Sequence, residues 1–214
     1  MHKLKPEYIK LTEKNRLYNS SRPIIGLTGG IATGKSTVSS ILKDFSFDII
    51  DADKLIKLIY KEEESILFIK NISPEFIENG TVNFKKLRSA FFSSTNIQEV
   101  VETYLYSKLP QKFIEVANQC KNSDFLIYDV PLLFEKKIHS MVDVSILVYS
   151  PKELQKDRLM KRDLSTSQEA DLIISKQLDI EAKRSLSTFI IDNSGSLKDL
   201  NFQVKQLISV ITGT

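Results

Sequence analysis

A chain of 214 residues with 42% hydrophobic and 27% charged side chains has the make-up of an ordinary globular protein, long enough for one α/β domain carrying a sizeable insertion. Its formal charge of +3 comes from well-mixed lysine and glutamate, which argues against a dedicated nucleic-acid surface and suits a small anionic substrate. A single cysteine, Cys120, permits no internal disulfide and no thiolate metal site, and His2 and His139 are too few for a histidine-based nucleophile relay. No apolar run approaches the ~18 residues of a membrane span, and no signal-peptide core is read near the start. The expectation is a cytoplasmic protein with neither a membrane nor a nucleic acid as partner.

Residues 1–22 are polar and lysine-rich, with Asn19-Ser20-Ser21 as a linker before Pro23, and they read as an extension that docks loosely as a helix or frays. Glu7 and Glu13 speak against an organelle transit peptide. Ile24, Ile25 and Leu27 form a short apolar run suited to a buried strand, and Val38, Ile41, Leu42 and Phe45 recur at helical spacing. Phe47, Ile49 and Ile50 predict a second strand that runs into Asp51-Ala52-Asp53, followed by a helix with Leu55, Ile56 and Ile59 inward.

Residues 61–122 show helical patterns alone: Ile66 and Ile69, then Leu87, Phe91 and Phe92, then a long series from Val101 to Val116. Pro110 interrupts that last series and predicts two segments there. The block reads as an all-helical insertion between the second and third strands. Phe125–Asp129 and Val142–Tyr149 are further strands, and Pro151 opens a helix over 152–162. Residues 167–184 are polar and helical, Phe189–Ile191 is the last strand, and Asn193-Ser194-Gly195-Ser196 is a turn. A final helix buries Leu197, Leu200, Val204, Leu207 and Ile211. Strands alternating with helices predict a mostly parallel five-stranded sheet covered on both faces, a three-layer α/β domain over residues 23–214.

The stretch Ile24 to Thr37, IIGLTGGIATGKST, holds four of the seven glycines in the chain. Gly29, Gly34, Lys35 and Ser36 complete the G-x-x-x-x-G-K-[ST] pattern of a phosphate-binding loop. A strand, a glycine-rich turn and a helix aim successive backbone N–H groups at an anion lying on the helix N-terminus. On this reading Gly29, Gly30, Ala32, Thr33, Gly34, Lys35, Ser36 and Thr37 cradle nucleotide phosphates. Lys35 reaches the β/γ-phosphates, and the Ser36 hydroxyl binds Mg²⁺.

A phosphate loop alone does not specify a reaction. Asp129 ends a strand of large residues and is the candidate second support of the metal, directly or through water; a plain loop cap is the alternative. Pro131-Leu132-Leu133-Phe134 follow as a hydrophobic wall, with Glu135 at its edge. Asp51 and Asp53 lie at the C-terminal end of the second strand, where open α/β sheets bind ligands. Alternation points both side chains the same way if that tip stays extended, but Asp53 could equally be only the N-cap of the helix starting at Lys54, and Asp51 a simple turn residue. Arg158 and Arg162 stand four apart on one helix face and are candidates for meeting a transferring phosphoryl group; a solvated basic face is the alternative. Lys183 and Arg184 read as mainly surface residues.

With these pieces in order the sequence resembles the dephospho-coenzyme A kinases. The matches are Ile24–Val38, IDAD at Ile50–Asp53, DVPLLFE at Asp129–Glu135, QKDRLMKRD at Gln155–Asp163, Gln177, and IDNSGS at Ile191–Ser196. The resemblance implies a P-loop kinase fold with a helical substrate-binding insertion (61–122) and a helical lid over about 152–185. It also implies ATP with Mg²⁺ as cofactors and dephospho-coenzyme A as the small-molecule partner, in a monomer or weak homo-oligomer. It makes Asp53 the base for the ribose 3′-hydroxyl, and places Asn193 and Gly195 near the adenine.

The chain departs from the family pattern at Ala32, where glycine is usual at little expected cost, and at Asn83-Phe84 and Tyr106-Ser107 in the insertion. Leu172 and Ile173 stand where an arginine is usual before Gln177. The nearest rival reading is a P-loop kinase for another small acceptor such as a nucleoside or nucleotide. A regulatory switch protein lacks its guanine-selecting N-K-x-D motif here, and retention of Lys35, Ser36, Asp53 and Asp129 argues against a non-catalytic relative.

Overall fold

The structure, a computed structural model, describes residues 2–213. In chain order its first elements are β1 (Ile24–Gly29), α1 (Lys35–Asp44), β2 (Ile49–Asp51), α2 (Ala52–Ile59), α3 (Glu63–Ile72), β3 (Ile77–Glu78), β4 (Thr81–Val82), α4 (Phe84–Ser93) and α5 (Thr95–Ala117). There follow β5 (Leu126–Asp129), β6 (Val144–Tyr149), α6 (Lys152–Asp163), α7 (Ser167–Ser175), α8 (Ile180–Leu186), β7 (Phe189–Asp192) and α9 (Leu197–Thr212). The chain divides into two compact units, one made of residues up to Ile50 together with those from Cys120 onward, the other of Asp51–Gln119.

In the first unit the strands order as β2-β5-β1-β6-β7. β1 pairs in parallel with β5 and with β6, and β6 with β7. Parallel strands are buried on both faces, which is why β1, β5 and β6 are mostly apolar and are buried along their whole length. On one face Ile25, Leu27, Ile127 and Val148 meet Val38 and Ile41 of α1 and Leu200 and Val204 of α9. On the other, Leu147 and Tyr149 meet Ile180 of α8. That is the expected three-layer α/β arrangement.

Residues 2–22 are not the loose helix or frayed arm that their polarity predicts. They form three short 3-10 turns at Pro6–Tyr8, Glu13–Asn15 and Leu17–Asn19, with Leu4 and Leu17 buried. The reason is Asp143, whose buried carboxylate accepts the N–H groups of Lys10 and Leu11 at 2.9 Å each, Ile24 N–H at 2.9 Å and Arg16 Nε at 2.8 Å. A buried carboxylate requires such partners, and the arm supplies three of the four.

The second unit corrects two expectations. It is not all-helical: β3 and β4 form a hairpin whose turn places Asn79 and Gly80 at φ 50° and 74°, the left-handed pair that an Asn-Gly turn favours. Nor does Pro110 divide the long helix. The buried row Leu105, Leu109, Phe113 and Ala117 of α5 continues across it, and packing of that row outweighs the one hydrogen bond a proline removes.

Candidate active site

β1 delivers the chain to Gly29, and α1 begins at Lys35, so the loop between them lies at the N-terminus of a ten-residue helix. Gly34 makes that entry with φ 88°, a left-handed conformation glycine adopts without strain. A Cβ on Gly29 would lie 2.6 Å from Thr33 Oγ1 and 3.0 Å from the Val148 carbonyl, so that position has no room for a side chain. Ala32 also sits in the left-handed region, at φ 58°. The alanine therefore carries a strain of about 1–2 kcal/mol that glycine would not, against the expectation that it costs little.

Lys35 forms an ion pair with Asp129, the last residue of β5, and Ser39 Oγ donates to the other carboxylate oxygen at 2.6 Å. Ser39 is a site residue the sequence reading missed. The available signal was its position four residues after Lys35, on the same face of α1. Ser36 and Thr37 are exposed in the first turn of α1, at the helix end whose polarity favours an anion.

The loop is braced from behind. Thr33 is buried; its Oγ1 donates to the Gly30 carbonyl at 2.9 Å, and its own carbonyl accepts Asn193 Nδ2 at 2.8 Å. Arg158 donates to Ser150 Oγ at 3.0 Å and to the Asn193 carbonyl at 2.8 Å. Gln177 Oε1 accepts the Ile31 N–H at 2.8 Å. Asn193 is thus joined to the phosphate loop, while Gly195 lies in the exposed turn before α9.

The two arginines part company. Arg158 belongs to this brace, whereas Arg162 is exposed and pairs with its neighbour Asp163 at 2.7 Å and 2.9 Å. Lys183, read from sequence as a surface residue, is fully buried, with its Nζ 2.7 Å from Glu135 Oε1.

The oxygen donors Ser36 and Asp129 are of the kind Mg²⁺ takes. Among the described residues no group of three or more histidine, cysteine or acidic side chains forms a metal cage. That donor set fits Mg²⁺, which keeps several waters and takes one or two protein oxygens together with substrate phosphates.

In the second unit Asp51, not Asp53, caps α2: its carboxylate accepts the Lys54 N–H at 3.0 Å. Asp53 is the second residue of the helix and exposed, so capping no longer accounts for it. It lines an open groove of about 500 Å³ whose other walls include Tyr60, Phe84, Leu87, Arg88 and Phe91. Burial pushes the Tyr60 phenol up to about 12.

Residues 23–199 match the family model described as dephospho-CoA kinase. A dephospho-CoA kinase of Helicobacter pylori is 36% identical over 191 residues, covering 87% of this chain and 96% of that protein. Among solved structures, the protein TT1252 from Thermus thermophilus superposes with a TM-score of 0.78 at 28% identity, covering 90% of this chain and 99% of that one. A dephospho-CoA kinase from Campylobacter jejuni does so with a TM-score of 0.67 at 27% identity, covering 89% and 98%.

Proposed function

Given that this chain belongs to the dephospho-CoA kinase family, we propose that its phosphate loop, lid helix and helical unit carry out the last step of coenzyme A synthesis as follows. The reaction is transfer of the ATP γ-phosphoryl group to the ribose 3′-hydroxyl of dephospho-CoA. The observation that carries it is the family match over residues 23–199, which contains the loop and Asp129 as well as Asp53.

The N–H groups at the start of α1 hold the β- and γ-phosphates, which helix polarity favours. Lys35 is already present as a cation beside them, oriented by Asp129 and Ser39. Its charge offsets the negative charge that develops on the phosphoryl oxygens. Ser36 and Asp129 would hold Mg²⁺, which would supply positive charge to offset the negative charge on the phosphates. Asn193 and Gly195 flank the adenine end.

The two lid arginines serve the transferring group, Arg158 from the brace that joins Ser150 and Asn193, and Arg162 by leaving its pair with Asp163. Arg162 is the more movable of the two, because an exposed pair with Asp163 costs little to break. Asp53 orients the acceptor hydroxyl and takes its proton, and the groove beside it, apolar with Lys57 and Arg88 at its margin, suits a long arm bearing phosphates. A cytoplasmic setting, a monomer or weak homo-oligomer and no nucleic-acid partner complete the reading; the lone cysteine and the mild charge support it. Among the described residues no helix is long and apolar enough to cross a membrane.

The test is purified protein with ATP·Mg²⁺ and a panel of acceptors, scored by product mass. One phosphoryl group added to dephospho-CoA, and not to nucleosides or nucleotides, is the expected result. Preferential phosphorylation of a nucleoside would overturn it.

A further inference from the structure

Lys183 of α8 and Glu135, in the segment after β5, form an ion pair that is poorly satisfied for its burial. The ammonium lies 2.7 Å from Glu135 Oε1 without an aligned hydrogen bond, and Glu135 Oε2 is buried with no hydrogen-bond partner. Such a pair is a weak source of stability, since two apolar side chains of the same shape would serve the core as well or better. Its geometry has a different consequence. Glu135 Oε1 also accepts the Leu178 N–H at 3.0 Å, which fixes the backbone next to Gln177.

Gln177 in turn accepts the Ile31 N–H, on the limb of the phosphate loop that leaves β1. Gln155 also lies against that limb: a Cβ on Gly30 would lie 2.5 Å from its Oε1, and its Nε2 donates to the Ser150 carbonyl at 2.8 Å. Glutamine has three rotatable side-chain bonds, so it keeps one such contact only where its backbone is held.

We infer that Lys183 and Glu135 are positioning residues for the nucleotide site: through Leu178 they present Gln177 to Ile31 and hold the phosphate loop in its binding shape. This rests on the reading of that loop as the ATP site.

The test is a mutant cycle read as ATP affinity by calorimetry, with thermal melting and the acceptor KM measured alongside. Gln177→Ala is expected to weaken ATP binding about 3- to 10-fold, the net worth of one neutral hydrogen bond. The neutral pair Glu135→Leu/Lys183→Met, which removes the acceptor from the Leu178 N–H, is expected to weaken it by the same factor, and to add nothing once Gln177 is alanine. The acceptor KM stays within about twofold. Should the neutral pair fail to fold, Glu135→Asp keeps both charges but withdraws the carboxylate from Leu178 by one methylene, and it enters the same cycle. An undiminished effect in the Gln177→Ala background, or a silent pair, overturns the inference while ATP binding remains measurable. A wild-type protein that binds no ATP sinks the kinase reading, and this inference with it.

Discussion

Replacing Asp53 with asparagine separates chemistry from helix architecture, because the two roles fall on different residues. The cap of α2 is Asp51, through its contact with Lys54 N–H. Asp53, exposed in the first turn, contributes its charge to the helix, about 0.3–1 kcal/mol against the macrodipole. For a chain of this length Asp53→Asn should lower the melting temperature by roughly 1–4 °C. Asp51→Ala removes the cap hydrogen bond and should lower it by about 2–4 °C, for ~1 kcal/mol.

The kinetic order is the reverse. Asparagine takes no proton, and the loss of a positioned base lowers kcat by roughly 10²–10⁴. The lower end is expected, since a loose phosphoryl-transfer transition state needs little early deprotonation. The assay is ADP release at saturating ATP and dephospho-CoA, with ATP affinity measured separately and expected to be unchanged. Turnover of Asp53→Asn within about tenfold of wild type would refute the base assignment and move the search to Asp51 or Asp129.

Lys35→Ala should retain the far-ultraviolet circular dichroism of the native chain and lose about 10²–10³ in rate, since its charge acts on the phosphates; near-normal turnover would remove the loop lysine from the mechanism. Ala32→Gly should relieve the left-handed strain, less the extra chain entropy of glycine, for a net gain of about 0.5–1 kcal/mol and a melting temperature higher by roughly 1–4 °C. A lower melting temperature would show the strain to be absent. Asp143→Asn leaves Arg16 buried without its anion, a loss of about 3–5 kcal/mol, and should drop the melting temperature by roughly 6–20 °C. A drop below about 2 °C would mean that residues 2–22 are not secured through that carboxylate.

The sequence by itself determined the sheet, the phosphate loop and the carboxylate at the end of β5. Each of these is written in neighbouring residues: mostly apolar runs for strands buried on both faces, glycines where the loop turns, Lys35 and Ser36 directly after them. Only the tertiary structure decided which charges are buried and with whom. Arg16 meets Asp143, Lys183 meets Glu135, and Ser39 joins Lys35 on Asp129, each across a sequence separation that periodicity does not register. It also decided between Asp51 and Asp53 as the cap, and carried α5 through Pro110. The physical reason is common to all of these. Hydrophobic pattern reports which face of an element leaves water, whereas the energy of a buried charge or a strained backbone depends on the partner that folding brings to it.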